Sequence, residues 1–234
     1  CSKLKIEVMG GHTEISDAVN RPIINVTGVG KVKKGKLVST GGLKPGDEIV
    51  MTKWAGLEGT SIIAAEKEEK LLETLPRELV DVIDKGTIYM PFAELVDVAK
   101  GFKEYLSVIP ESKIAMEVGV SAMHDVTEGG VFGALWELGE ASGVGITAHL
   151  DKIPIKQETI EVCEVFKINP YMLISSGSMM IGCEKGNLLV EKLEGAGINA
   201  AVIGRATEGN DRIVVSRDET RYIGPAGSDE LYKI

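Results

Sequence analysis

Apolar and polar residues alternate near both ends of this chain, and through its middle apolar residues recur at three- and four-residue spacing, so strands and helices interleave. Leu4-Lys5-Ile6-Glu7-Val8 predicts a strand running to Met9 and broken by Gly10-Gly11. Ile23, Ile24, Val26 and Val29 predict a second strand over 22–32. Leu43-Lys44-Pro45-Gly46-Asp47 is turn chemistry, and a strand is expected over 48–52. A helix follows over 57–75, with Ile62, Ile63 and Ala65 inward, then a short helix or turn over 78–84. Pro91 is placed to open a helix carrying Leu95, Val98, Ala99 and Phe102. Further helical turns are expected over 113–118, and a strand end at Ala122-Met123-His124.

Val131, Ala134, Leu135 and Leu138 share one helix face that closes near Gly143. A strand over 144–150 and a helix over 158–166 come next. Leu173–Ser175 and Ser178–Cys183 predict a hairpin about a Ser-Gly turn. A helix over 187–196 and strands over 200–207 and 211–215 complete the pattern. The mixture predicts an α+β (α/β layered) domain over 39–234. Residues 1–38 hold two strands, too few for a domain, and are expected to be the tail of an upstream one. The chain opens on Cys1 almost directly before a strand-like run, so preceding sequence is expected to have been removed or to lie on another polypeptide.

Composition narrows the function. Hydrophobic residues are 44% and charged residues 26%, enough apolar surface for a packed core. A net charge of -9 argues against nucleic acid, whose phosphates need clustered Lys and Arg. The one dense basic run, Lys31 to Lys36, reads as a solvated hairpin end or loop. No run approaches the ~18 apolar residues of a membrane span. Three cysteines without CxxC spacing predict neither a disulfide framework nor a zinc site, and a cytoplasmic protein is expected.

Four segments carry candidate chemistry. Gly10-Gly11-His12-Thr13-Glu14 follows a strand, where glycines let backbone N–H groups approach an anion and Glu14 offers an oxygen to a hydrated Mg²⁺. From spacing alone a plain strand-ending turn is the simpler reading. Asp125-Val126-Thr127-Glu128-Gly129-Gly130 lies between a strand and an apolar helix, where N–H groups and the helix dipole favour an oxyanion. Asp125 or Thr127 could instead be an N-cap. His124 beside it is a candidate base or a packed histidine. Gly56-Leu57-Glu58-Gly59-Thr60 repeats the strand-to-helix logic, with tight packing as the alternative. Ser175-Ser176-Gly177-Ser178 is a hydroxyl-rich turn. No Walker A, Gly-x-Gly-x-x-Gly, His-Glu-x-x-His or Gly-x-Ser-x-Gly motif is present, so any ATP use lies outside those designs.

Taken together and in order, "GGHTEI", "GGLKPGDEIVMTKWAGLEGTSIIA", "SAMHDVTEGGVFGALWELGEASGVGI" and "INPYMLISSGSMMIG" resemble the AIR synthase-related superfamily. That superfamily includes aminoimidazole ribonucleotide synthetase, selenophosphate synthetase, thiamine-phosphate kinase, formylglycinamidine synthase and the hydrogenase maturation factor HypE. The HypE form of the third segment reads Asp-Pro-Thr-Arg-Gly-Gly; Val126 and Glu128 depart from it. The resemblance implies a three-layer α/β/α C-terminal domain preceded by the last strands of an ATP-binding domain through which the protein homodimerises. It implies ATP and Mg²⁺ as cofactors. The reaction implied is ATP-dependent activation of an amide or carbamoyl oxygen, with a maturation partner protein.

On that basis Gly10, Gly11, His12, Thr13, Asp125, Thr127, Gly129, Gly130, Gly56, Gly59, Thr60, Ser176 and Gly177 are expected around the nucleotide or substrate. Glu14 is the metal candidate, and Glu14, His124 and Asp125 are the catalytic candidates. Two departures stand out: no upstream acidic motif lies in this chain, and it ends Asp229-Glu230-Leu231-Tyr232-Lys233-Ile234 with no cysteine. A non-catalytic nucleotide-binding or scaffold module, or an enzyme of the superfamily acting on a purine precursor, are the alternatives.

Overall fold

In the computed structural model, residues 1–74, 78–83, 86–217 and 219–234 are described, the side chains of Lys3 and of 78–93 excepted. The organising element is a seven-stranded mixed sheet. Its strands are β1 (Glu48–Thr52), β4 (Ala122–Asp125), β5 (Gly145–His149), β6 (Met179–Cys183), β7 (Ala200–Thr207), β8 (Arg212–Ser216) and β9 (Glu219–Tyr222), in the order β4-β6-β1-β7-β5-β8-β9. All neighbours are antiparallel except β5 and β8. β2 (Glu78–Ile83) and β3 (Gly86–Pro91) form a separate antiparallel pair.

Strand alternation decides which residues face which layer. From β1, Ile49 and Met51 join Met180, Ile203 and Val214 on one face, covered by α5 (Gly130–Ser142) through Val131, Ala134, Leu135 and Leu138. Val50 points the other way with Met179, Ile181 and Cys183, under α4 (Ile109–Val118) and α7 (Gly186–Gly195) through Ala115, Leu189 and Leu193. Each of these core side chains is almost wholly buried. Full burial of such a side chain stabilises the fold by roughly 1.5–3 kcal/mol. A third apolar cluster joins α1 (Leu57–Glu66), α2 (Glu68–Thr74), α3 (Phe92–Gly101) and α6 (Gln157–Phe166) around Leu173. Burial pushes the Cys163 thiol there up to about 12, with Glu230 adding to it, and pushes Cys183 up to about 11, so neither is a nucleophile at neutral pH.

Several expected elements differ. The helix expected over 57–75 is two helices, broken at Lys67, whose N–H closes the first on the Ile63 carbonyl; Leu75 lies outside the described residues. The helix or turn expected over 78–84 is strand β2, in keeping with the β-branched Val80, Val82 and Ile83, and Asp84 lies outside the described residues. Pro91 ends β3 and the helix begins at Phe92. Leu173–Ser175 is not a strand, because the Ser175 hydroxyl donates back to the Leu173 carbonyl and binds the local backbone into a turn.

The chain divides into two units, Cys1–Leu37 and Val38–Ile234. In the first, a 3₁₀ turn over Ser2–Leu4 is followed by no helix or strand. The strands expected over 4–9 and 22–32 are therefore not formed. Both runs have the alternation, but neither finds a ladder partner for its backbone groups among the described residues. Their apolar side chains are exposed, Met9 at 87% and Val29 at 95%.

Candidate functional site

The C-terminal ends of β4, β5 and β8 and the starts of β6 and β9 lie at the same end of the sheet's strands, and the glycine-rich segments of the second unit gather there. The Ser175–Ser178 turn ties them together. Its Ser175 Oγ accepts the Gly56 N–H at 2.6 Å, its Ser178 carbonyl accepts the Val126 N–H at 3.1 Å, and the Ser178 hydroxyl donates to the Trp54 carbonyl at 2.8 Å. The structure thus brings together three of the four expected segments, those at 56–60, 125–130 and 175–178. The fourth, 10–14, lies in the first unit.

At the start of α5 both Gly129 (φ 79°) and Gly130 (φ 59°) are left-handed. A side chain at Gly130 would meet the carbonyl oxygens of Leu173 at 2.6 Å and Tyr171 at 2.8 Å, so only glycine fits. The Gly129 N–H already holds an anion: it donates to Asp229 Oδ2 at 2.8 Å, and Asp229 Oδ1 accepts the Leu231 N–H at 2.9 Å. Asp229 is 2% exposed. A carboxylate at a helix start is the charge complement of the dipole and the free N–H groups. A phosphate oxygen has the same chemistry, so this donor set fits one. Asp125 is exposed at the end of β4, Thr127 is half-buried, and its carbonyl accepts the Gly130 N–H.

The first turn of α5 walls a cavity of about 500 Å³. Phe132 and Tyr171 stack along one side, ring centres 5.6 Å apart at 16°. Burial raises the Tyr171 phenol above its ordinary range, so it stays neutral. Asn169, Ser216, Arg221 and Tyr222 add polar groups, and Gly224–Ala226 close the far side. Arg221 is paired with Glu219 at 2.6 Å. The volume suits a small organic ligand. Of the residues lining it, Gly129 is an expected site residue; Phe132, Tyr171, Asn169, Ser216, Arg221 and Tyr222 are not, because they come from α5, the turn after α6 and the β8–β9 hairpin and share no local motif.

The start of α1 is built differently. Gly56 is left-handed (φ 67°), the Gly59 N–H donates to the Ile174 carbonyl at 2.9 Å, and the Thr60 hydroxyl donates to Thr159 Oγ1 at 3.0 Å. A side chain at Gly59 would run into Leu173. Gly56, Gly59 and Thr60 are all buried, and the groups expected to face a ligand there bond to protein instead. Gly177 (φ 102°) packs against Tyr105 and Leu106, and Ser176 is half-buried in the turn. Beside α1, Trp54 stacks on Phe102 and meets Tyr105 edge-on, with Lys156 Nζ 4.6 Å above its ring.

His124 is held on both ring nitrogens, Nδ1 by Thr40 Oγ1 at 3.0 Å and Nε2 by Glu137 Oε2 at 2.8 Å. A histidine so tethered is oriented first and available as a base second. In the first unit, His12 Nε2 lies 3.8 Å from Glu14 Oε2, both exposed, and Gly10, Gly11 and Thr13 are exposed. Among the described residues no group of three or more His, Cys, Asp or Glu could hold a metal, so Glu14 has no assembled partners for Mg²⁺. No helix among them is long and apolar enough to cross a membrane.

A mixed sheet with helices on both faces, and at one end of its strands a helix start met by a carboxylate beside a cavity of small-molecule size, defines an α+β domain with a candidate ligand site. Residues 44–216 match the AIR synthase related protein, C-terminal domain, and the chain belongs to that family. Among curated relatives, a protein of Methanocaldococcus jannaschii, described provisionally as a hydrogenase expression/formation protein, is 26% identical over 90% of this chain and 57% of its own. The carbamoyl dehydratase HypE of Rhodobacter capsulatus is 22% identical over 86% of this chain and 54% of its own. Solved structures give the fold: E. coli HypE (TM-score 0.62, 19% identity, 84% of this chain and 55% of that one) and HypE in complex with ATP (0.59, 18%, 83% and 55%). HypE in its HypE–HypF complex also superposes (0.57, 21%, 80% and 55%). The chain spans little more than half the length of these relatives.

Proposed function

We propose that residues 39–234 are the C-terminal domain, and residues 1–38 the last part of a preceding ATP-binding domain, of a HypE-like hydrogenase maturation enzyme. In this reading the Gly129–Gly130 helix start grips a phosphoryl oxygen and the adjoining cavity receives the amide or carbamoyl group. ATP, when bound, supplies the phosphoryl group that turns that oxygen into a leaving group. This chain's residues orient and clamp: backbone N–H groups offset charge on the phosphoryl oxygens, and Phe132 and Tyr171 exclude water from one wall. His124, oriented by Thr40 and Glu137, and the exposed Asp125 are the candidate proton carriers. Mg²⁺ is expected to arrive with the nucleotide and be held by carboxylates outside this domain, with Glu14 the contribution from residues 1–38. The HypE–HypF complex supports a maturation partner protein, and a cytoplasmic homodimer completes the proposal.

The observation that carries this reading is Asp229 seated on the Gly129 N–H: the loop binds an oxyanion, here its own. Titration calorimetry of the full-length protein with MgATP is the test. We expect saturable binding, at least tenfold weaker after Gly130→Ala and a few-fold tighter after Asp229→Ala, which frees the amide. No binding at millimolar ATP sinks the proposal. The same internal carboxylate favours a second reading, a nucleotide-regulated scaffold without turnover. Sustained phosphate release with a carbamoyl donor excludes it.

A further inference from the structure

We propose that Lys53 is a tethered cation: its ammonium fills a four-oxygen cage otherwise suited to a monovalent cation, and from there it clamps the Ser175–Ser178 turn. Lys53 follows β1 in a left-handed conformation (φ 54°) that L-residues other than Asn and Asp seldom adopt. That backbone turns the side chain inward, leaving the residue 7% exposed. Its Nζ donates to the Tyr105 carbonyl at 2.8 Å, the Ser107 carbonyl at 2.7 Å and the Gly177 carbonyl at 2.8 Å. Glu111 Oε1 stands 2.6 Å away, and Glu111 is fully buried.

An ammonium has three protons, and the three carbonyls take them. Glu111 therefore acts through its charge, and neither of its carboxylate oxygens meets a hydrogen-bond partner among the described residues. Carbonyls converging with one carboxylate are the donor set of a cation site, not of an ordinary surface ion pair. The 2.6–2.8 Å spacing is too wide for Mg²⁺ (~2.0–2.1 Å) and at or beyond the upper end for Ca²⁺ (~2.3–2.6 Å). It suits a large monovalent ion such as K⁺ or NH₄⁺, which the lysine replaces covalently.

The cage joins three separate segments: 105–107, the first turn of α4, and the 175–178 turn. That turn in turn holds Gly56, Trp54 and Val126. Lys53 is thus a positioning residue for the glycine-rich segments. Only this functional consequence rests on the proposed function; the cage does not.

The test is thermal melting of the full protein and its K53A variant in KCl, NH₄Cl and tetramethylammonium chloride at equal ionic strength. In tetramethylammonium, K53A is expected to melt about 10 °C lower than the parent, because a buried carboxylate loses its counter-charge. In K⁺ or NH₄⁺ at least half of that loss should return, while the parent melts alike in all three salts. E111Q, which keeps the ammonium on its three carbonyls, should fold and be indifferent to the cation. A K53A protein that melts alike in every salt, or folds in none while E111Q folds, overturns the proposal. None of these readouts involves a nucleotide, so absence of ATP binding would sink the proposed function and leave the cage standing.

Discussion

Helices α1 and α5 begin the same way in sequence, a strand end followed by glycines, yet their N-termini are finished with opposite chemistry. At α1 the buried groups are met by neutral partners: Ser175 Oγ on the Gly56 N–H and the Ile174 carbonyl on the Gly59 N–H. Leu173 fills the space a side chain at Gly59 would need. At α5 the Gly129 N–H is met by a buried carboxylate, and the helix start walls a cavity of about 500 Å³. Identical local sequence logic thus produces one packing joint and one anion site. What separates them is the partner delivered from far along the chain, a serine hydroxyl in one case and Asp229 in the other.

The largest test of this difference is glycine replacement. Gly130→Ala forces a side chain into the left-handed region and against two backbone oxygens that cannot rotate away. We expect a loss of about 2–5 kcal/mol in denaturant unfolding, from left-handed strain of ~1–2 kcal/mol plus overpacking of ~1–3. Gly59→Ala sits at a helical position and meets a side chain rather than backbone, the fully buried Leu173, so its cost should be smaller, about 0–2 kcal/mol from overpacking of ~1–3 less a helix-propensity gain of ~1. If the two variants lose equally, backbone collision is not what keeps Gly130.

Side-chain partners come next. Ser175→Ala strands the buried Gly56 N–H, and about 1–3 kcal/mol should be lost. Asp229→Ala removes a charged acceptor shared by two N–H groups, and about 1.5–3 kcal/mol should be lost. Equilibrium unfolding in urea measures both.

The sequence made the α5 side of this comparison more legible than the α1 side. Val131, Ala134, Leu135 and Leu138 announce the α5 face, and Gly143 its end, because helical periodicity is a local property. The exposed 4–9 and 22–32 runs show the converse: alternation alone does not make a strand, because the ladder partner is not local. The hairpin expected at Leu173–Cys183 failed because hydroxyls compete with the ladder for backbone groups. Site contacts were least legible of all. Asp229 lies 100 residues from Gly129, and Lys53 lies 124 from Gly177. Neither pairing leaves a trace in spacing. Lys53 also sits in a backbone conformation that composition does not forecast.

The smallest expected effect is the most discriminating, because it separates a lost hydrogen bond from a vacated anion site. In Asp229→Ala the Gly129 and Leu231 N–H groups lose their acceptor at a helix start whose dipole still favours negative charge. Sulfate or inorganic phosphate at tens of millimolar should therefore raise the variant's melting temperature beyond the rise seen in the parent. The gain follows RT ln(1 + [L]/Kd), so tenfold excess over Kd returns about 1.4 kcal/mol, or roughly 3–5 °C in a chain of this size. Ser175→Ala offers the same anions only a buried N–H packed against protein, and its melting temperature should follow the parent's. Equal responses in the two variants would mean that α1 and α5 differ in packing alone, and that Asp229 is a cap rather than the stand-in for a ligand.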